Sequence, residues 1–371
     1  MIHAIPDFFR SAGAFAVVLG ILIFVHEFGH YLAARWCGVH VEVFSIGFGQ
    51  AITSWMDRHG TRWKLAWLPL GGYVKMHGQE RPEDVSPEVR ASWIAGRTFH
   101  EKKVWQRAII VAAGPIANFL LAMVLFGGLF ASMGMAVPET LPVVGSVLPA
   151  SAAAHAGLQA NDRIDSIAGQ PVHSFADIQH IIEARPDQTM PIVITRDGAT
   201  STVQVHTGSQ MSGDKRIGLL GIGTAVEYRH LPVGVALLAG VKQTWTVTTQ
   251  IVHGIGQMIE GTVSTQDLGG PLRIAQLSGQ VVELGLTSLV SFIAVLSVNL
   301  GLINLFPIPI LDGGHLLFYL AEAIRGRPLP PRALEYGFRA GLAVLASLFL
   351  FTTWNDLSNI GLFHWVAHLM G

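Results

Sequence analysis

The sequence predicts an α-helical membrane protein with four transmembrane helices, a membrane-associated β-hairpin region and one inserted α+β domain. Hydrophobic residues make up 50% of the 371 and charged residues only 13%, against about 25% charged in ordinary soluble domains. Four runs, about 12–34, 108–135, 286–311 and 337–354, are apolar over the length of roughly 20 residues that a bilayer requires. Two stretches between them have a different, strand-like texture punctuated by turn residues. The net charge of -1 leaves no basic surplus for nucleic acid. The single cysteine, Cys37, excludes an internal disulfide and a four-cysteine zinc site. The first apolar run lacks a small-residue cleavage pattern and is expected to be retained.

Taken in order, residues 1–137 form the first part of a membrane core. Its segment 41–76, "VEVFSIGFGQAITSWMDRHGTRWKLAWLPLGGYVKM", alternates β-branched and aromatic residues with turn glycines and reads as hairpins. Residues 138–208 contain strand-like runs, a short helix and paired strands, a compact module of the size of a PDZ domain. Residues 209–283 read as a linker followed by an interfacial amphipathic helix. Within it, 231–261 is interrupted by Lys242, Gln243, Thr244 and Gln250, which argues against a fifth span. Residues 284–371 complete the core. The connection from Arg35 to Arg107 holds eleven Lys and Arg, whereas the longer stretch between the second and third spans holds eight. By the positive-inside rule the first is cytoplasmic and the PDZ-like module lies outside the cytoplasm.

Inside the first span lies "HEFGH". On a helix His26 and His30 fall one turn apart on one face. Two neutral imidazoles at that spacing bind one zinc ion, with Glu27 as general base for an attacking water. Ionisable groups at membrane depth are costly unless paired or functional, which favours metal over two satisfied core histidines. Catalytic zinc generally takes three protein ligands, and Asp312 of "NLGLINLFPIPILDGGH" arrives near the cytoplasmic side if 231–261 does not cross. A helix-ending turn with Asp312 as cap is its ordinary alternative.

"HEFGH", "GPIANF", the PDZ-like module and "NLGLINLFPIPILDGGH" occur in that order, and the chain resembles the site-two protease family of intramembrane metalloproteases, of the bacterial RseP type. The resemblance implies one zinc ion per chain, held by His26, His30 and Asp312, with Glu27 catalytic. It also implies that Asn299, Asn304, Pro307 and Pro309 belong to a third-span motif that holds substrate or supports the site. It places the chain in the bacterial inner membrane, acting on single-span proteins such as anti-sigma factors or remnant signal peptides. The archetype carries two tandem PDZ modules, and here only one fits.

Other residues carry less. Asn118 of "GPIANF" is a candidate hydrogen-bond partner for the site, or a packing residue beside Gly114. The asparagines of the third span have helix–helix glue as their alternative. His315 reads as an ordinary loop residue, and His40, His59, His77 and His100 sit in polar segments that need no metal. The PDZ-like module is a candidate for binding an extended peptide or a C-terminus, or for acting as a steric gate. A non-catalytic membrane scaffold with a zinc site is the competing class.

Overall fold

A computed structural model describes residues 4–80, 85–138, 141–212, 215–263 and 269–359. The chain divides into two units, residues 1–129 with 237–371, and residues 130–236.

The first unit opens with helix α1 (Ala4–Trp36), followed by strands β1 (Val41–Met56) and β2 (Arg62–Met76). A short helix, α2 (Pro87–Ala91), is capped by Ser86, which accepts from the Val89 N–H. Helix α3 (Val104–Met133) then leads to the second unit. Four stretches are long and apolar enough to cross a membrane: Arg10–Trp36, Val104–Met133, Leu286–Asn304 and Pro331–Ser358. They match the expected runs, with one difference at the third.

β1 and β2 are longer than a simple hairpin requires because they curl. Val43–Ile46 pair with Gly72–Lys75 along one edge and with Arg62–Leu65 along the other, while Thr53–Met56 also pair with Arg62–Leu65. Gly47, at φ +88°, stands where the strand turns on itself, close to the carbonyls of Ala66 and Leu68. A side chain there would be strained and would collide with backbone. The curl leaves residues 72–76 as an edge strand among the described residues. Phe44 and Trp63 (centroids 4.3 Å apart) and Tyr31 (5.3 Å from Trp63) bind the curl to α1.

The second unit contains strands β3 (Met135–Pro138) and β4 (Val144–Val147), helix α4 (Ala152–His155), strands β5 (Arg163–Ile167) and β6 (Gln170–Pro171), and helix α5 (Phe175–Glu183). After them come β7 (Thr189–Arg196), β8 (Ala199–His206), β9 (Gly208–Ser212), β10 (Lys215–Leu219), β11 (Ile222–Thr224) and β12 (Val226–Arg229). The central sheet has the order β6-β5-β7-β8. Met190, Ile192 and Ile194 of β7 alternate inward and meet Ile178 and Ile182 of α5 in the core, the period-2 and period-3.6 faces their sequences prescribe.

The stretch 209–230, expected as a linker, is part of this domain. β9 pairs with β10, β11 with β4 and β12 with β3, and Leu220 is buried in the same core as Ile192. Its strands are three to five residues long and interrupted by glycines, so they carry little periodic signal.

Back in the first unit, helix α6 (Val233–Ile259) is continuous and is not among the four candidate spans. Gly240 brings its backbone against Met123 and Gly127 of α3. Helices α7 (Pro271–Glu283), α8 (Leu286–Asn304), α9 (Asp312–Arg325) and α10 (Pro331–Asn359) complete the unit. Val18 and Leu22 of α1 share a cluster with Ile293 of α8.

The third apolar run does not remain helical to residue 311. α8 stops at Asn304, because Pro307 and Pro309 lack N–H donors and exclude helical geometry from the residues before them. The turn that follows holds Ile310 at φ +110°, a costly conformation for a β-branched residue. It delivers Asp312 as the first residue of α9.

Candidate metal centre

His26 and His30 face the same way from α1, both buried. Their ring planes are nearly perpendicular, at 88°, and their Nε2 atoms are 3.3 Å apart. Asp312 Oδ2 lies 3.1 Å from His26 Nε2 and 3.5 Å from His30 Nε2. Among the described residues these are the three whose ligand atoms converge, all within 4.8 Å of one another.

α3 orients both rings. His30 Nδ1 donates to the Ile110 carbonyl at 2.8 Å, which leaves the lone pair on Nε2. The fully buried Asn118 amide stands 3.1 Å from His26 Nδ1, and its Oδ1 has no partner. The two ends of an amide exchange by a half-turn, and with Oδ1 facing the ring it accepts from Nδ1–H. Both imidazoles then turn bare Nε2 atoms toward a carboxylate. Asp312 Oδ2 is itself buried without a hydrogen-bond donor. One shared proton joins two of these three atoms, whereas a cation satisfies all three. Two nitrogens, one carboxylate oxygen and a buried setting suit zinc with an open fourth position. Gly114 makes the space, since a Cβ there would run into both imidazoles.

Glu27 lines the same cavity, of about 550 Å³. The curled strands approach it through Gly72, where an added Cβ would stand 2.9 Å from Glu27 Cγ. The edge strand 72–76 therefore runs beside the general-base candidate. Its base is tied down by Glu42, which accepts from Lys75 at 2.9 Å and from His77 Nδ1 at 2.7 Å, while His77 Nε2 accepts from the Ile94 N–H. Burial opposes ionisation of Glu42, but those donors keep its pKa below the usual range. At the hairpin turn burial likewise works against Asp57, and bonds from Trp63, Thr61, His59 and Tyr31 hold its pKa down at about 2.

Of the other residues singled out from the sequence, Asn304 reaches the cavity. Asn299 is half-buried further back on α8 and is not part of the lining. Pro307 and Pro309 shape the turn before Asp312. His77 is a structural tie and His100 donates to the Gly78 carbonyl. His315, expected in a loop, belongs to α9 and lines the cavity. Arg107 and Glu322 were not singled out at all. They form a 2.7 Å ion pair at the cavity wall, largely buried, with the guanidinium over the Tyr319 ring. Residues 215 apart in sequence leave no local pattern for such a pair.

Two histidines and a glutamate on a helix apolar enough to cross a membrane, facing a carboxylate from the turn beyond a second such helix, are the makings of a membrane metallopeptidase. The chain belongs to peptidase family M50, whose family model matches residues 14–348. It is 43% identical over 363 residues to a protein of Rhizobium meliloti named "Putative zinc metalloprotease R01501", covering 93% of this chain and 95% of that one. A similarly named protein of Agrobacterium fabrum is 41% identical, over 93% and 95% of the two chains. Metalloprotease MmpA of Caulobacter vibrioides is 35% identical over 95% and 96%.

Proposed function

We propose that this chain is a zinc-dependent intramembrane endopeptidase that cuts transmembrane segments of single-span proteins, anti-sigma factors or remnant signal peptides, in regulated intramembrane proteolysis. The observation that carries the reading is the convergence of Asp312, at the start of α9, with His26 and His30 beside Glu27 on a helix apolar enough to cross a bilayer. Family membership and the names of the relatives favour zinc, and the one converging ligand set among the described residues favours one ion per chain. The bacterial relatives favour a bacterial inner membrane, and the charge asymmetry along the chain favours the inserted PDZ-like domain outside the cytoplasm and the metal centre near the cytoplasmic side. That domain screens substrates, either by taking up an extended peptide or C-terminus along a strand edge or as a steric gate.

Zinc, when bound, polarises the scissile carbonyl and lowers the pKa of water. Glu27 accepts a proton from the water whose oxygen adds to the carbonyl carbon. The C–N bond then breaks as Glu27 passes that proton to the departing nitrogen, leaving a new carboxyl and a new amine. A helical substrate must unwind first, because its peptide groups are satisfied internally and lipid offers no replacement partners. The edge strand 72–76 supplies backbone donors and acceptors to the unwound segment, and the Asn304 amide, which lines the same cavity, supplies both kinds as well.

The test is cleavage of a model single-span substrate by the purified protein. Glu27→Gln is expected to keep its zinc and lose at least about 10²-fold in rate, and chelation to abolish cleavage. Undiminished cleavage by Glu27→Gln refutes the mechanism, and zinc content unchanged in Asp312→Ala removes Asp312 from the ligand set.

A further inference from the structure

We propose that His315 donates a hydrogen bond to the oxygen of the scissile carbonyl and so stabilises the negative charge that gathers there as water adds. This rests on the peptidase reading above and extends it to a residue with no role in that mechanism. His315 follows Asp312 by three positions on α9, so the two side chains leave the helix from neighbouring points, Cβ atoms about 5–6 Å apart. Its imidazole lines the cavity that holds Glu27 and lies within electrostatic reach of both Asp312 and His30. It is not a member of the ligand cluster.

The ring is held by aromatic neighbours, Phe338 at 5.5 Å and Phe318 and Tyr319 each at 6.5 Å between centroids. Among the described residues neither of its nitrogens makes a hydrogen bond, so a polar group that is half-buried and fixed in direction keeps its N–H free. Arg107, which also lines the cavity, is engaged with Glu322. Asn304 and Tyr73 also line the cavity, but neither stands on the same helical turn as a ligand. A preset donor aimed at developing charge in a water-poor site is worth about 10²–10³-fold in rate.

The experiment uses the full chain with the single-span substrate, comparing wild type, Glu27→Gln, His315→Leu and His315→Gln, with zinc content measured on each. His315→Leu is expected to lower kcat about 10²-fold with KM and zinc content unchanged. His315→Gln, which restores an N–H, is expected to recover at least part of that loss. Wild-type kcat in His315→Leu overturns the proposal, as does a loss of zinc, of folded protein or of substrate affinity shared equally by the Leu and Gln variants, which marks a packing role. If wild type cleaves no faster than Glu27→Gln, the peptidase reading itself has failed. If wild type cleaves and His315→Leu matches it, only the assignment of His315 has failed.

Discussion

The two units treat a buried carboxylate in opposite ways. In the inserted domain Asp162 has no exposed side-chain surface, and its oxygens accept from Arg196 at 2.6 and 2.8 Å and from the Gln159 N–H at 2.8 Å. In the membrane unit Asp312 points a buried oxygen at two imidazole nitrogens and receives no hydrogen-bond donor. A buried polar group without a partner costs on the order of 1–3 kcal/mol, and more if charged. One unit has removed that cost for stability, and the other retains it where a cation would remove it.

That contrast predicts effects that separate cleanly between metal binding and folding. The largest is expected for Gly114→Val, whose side chain takes the space of the imidazoles. Zinc content should fall to background while circular dichroism still reports helix, and retained zinc would break the comparison. Next, Asn118→Ala is expected to weaken zinc about 10–100-fold in a chelator competition, the usual effect of losing a partner that orients a ligand histidine.

In the inserted domain Asp162→Asn should leave zinc untouched and destabilise that domain by about 1.5–3 kcal/mol in denaturant unfolding, the range for losing hydrogen bonds to a charged group, since the Arg196 left behind is partly exposed. The bond from Arg196 holds the Asp162 carboxyl below its ordinary range. Its stabilising contribution is therefore complete above the unfolded value of about 3.9 and is lost as pH falls below that toward the folded value. Wild type should lose stability across that acidic window, and Asp162→Asn should lose less. The smallest effect is expected for Ser174→Ala. It removes the cap in which Ser174 accepts from the Asp177 N–H and Asp177 from the Ser174 N–H, at about 1 kcal/mol, with no change in cleavage of a substrate already bound.

Much of this was legible along the chain. Hydropathy alone marks the four candidate spans, because a bilayer demands length and apolarity from consecutive residues. Helical periodicity alone puts His26 and His30 on one face with Glu27 between them. The turn before Asp312 is announced by Pro307 and Pro309. Where the sequence misled, the signal was too short or too distant. Residues 209–230 looked like a linker because two of their short strands find their partners far back in the chain, β11 on β4 and β12 on β3.

Local pattern therefore determined which residue types were available to bind a metal and which helices are apolar enough to cross a bilayer. Only the tertiary structure decided that the Ile310 turn delivers Asp312 to both imidazoles, that α3 sets their ring nitrogens, that the curled strands present residues 72–76 beside Glu27, and that His315 faces the same cavity. Periodicity is a property of neighbours along the backbone. Convergence of groups from α1, α3, α9 and β2 depends on close packing between segments far apart in the chain, which no single window of sequence contains.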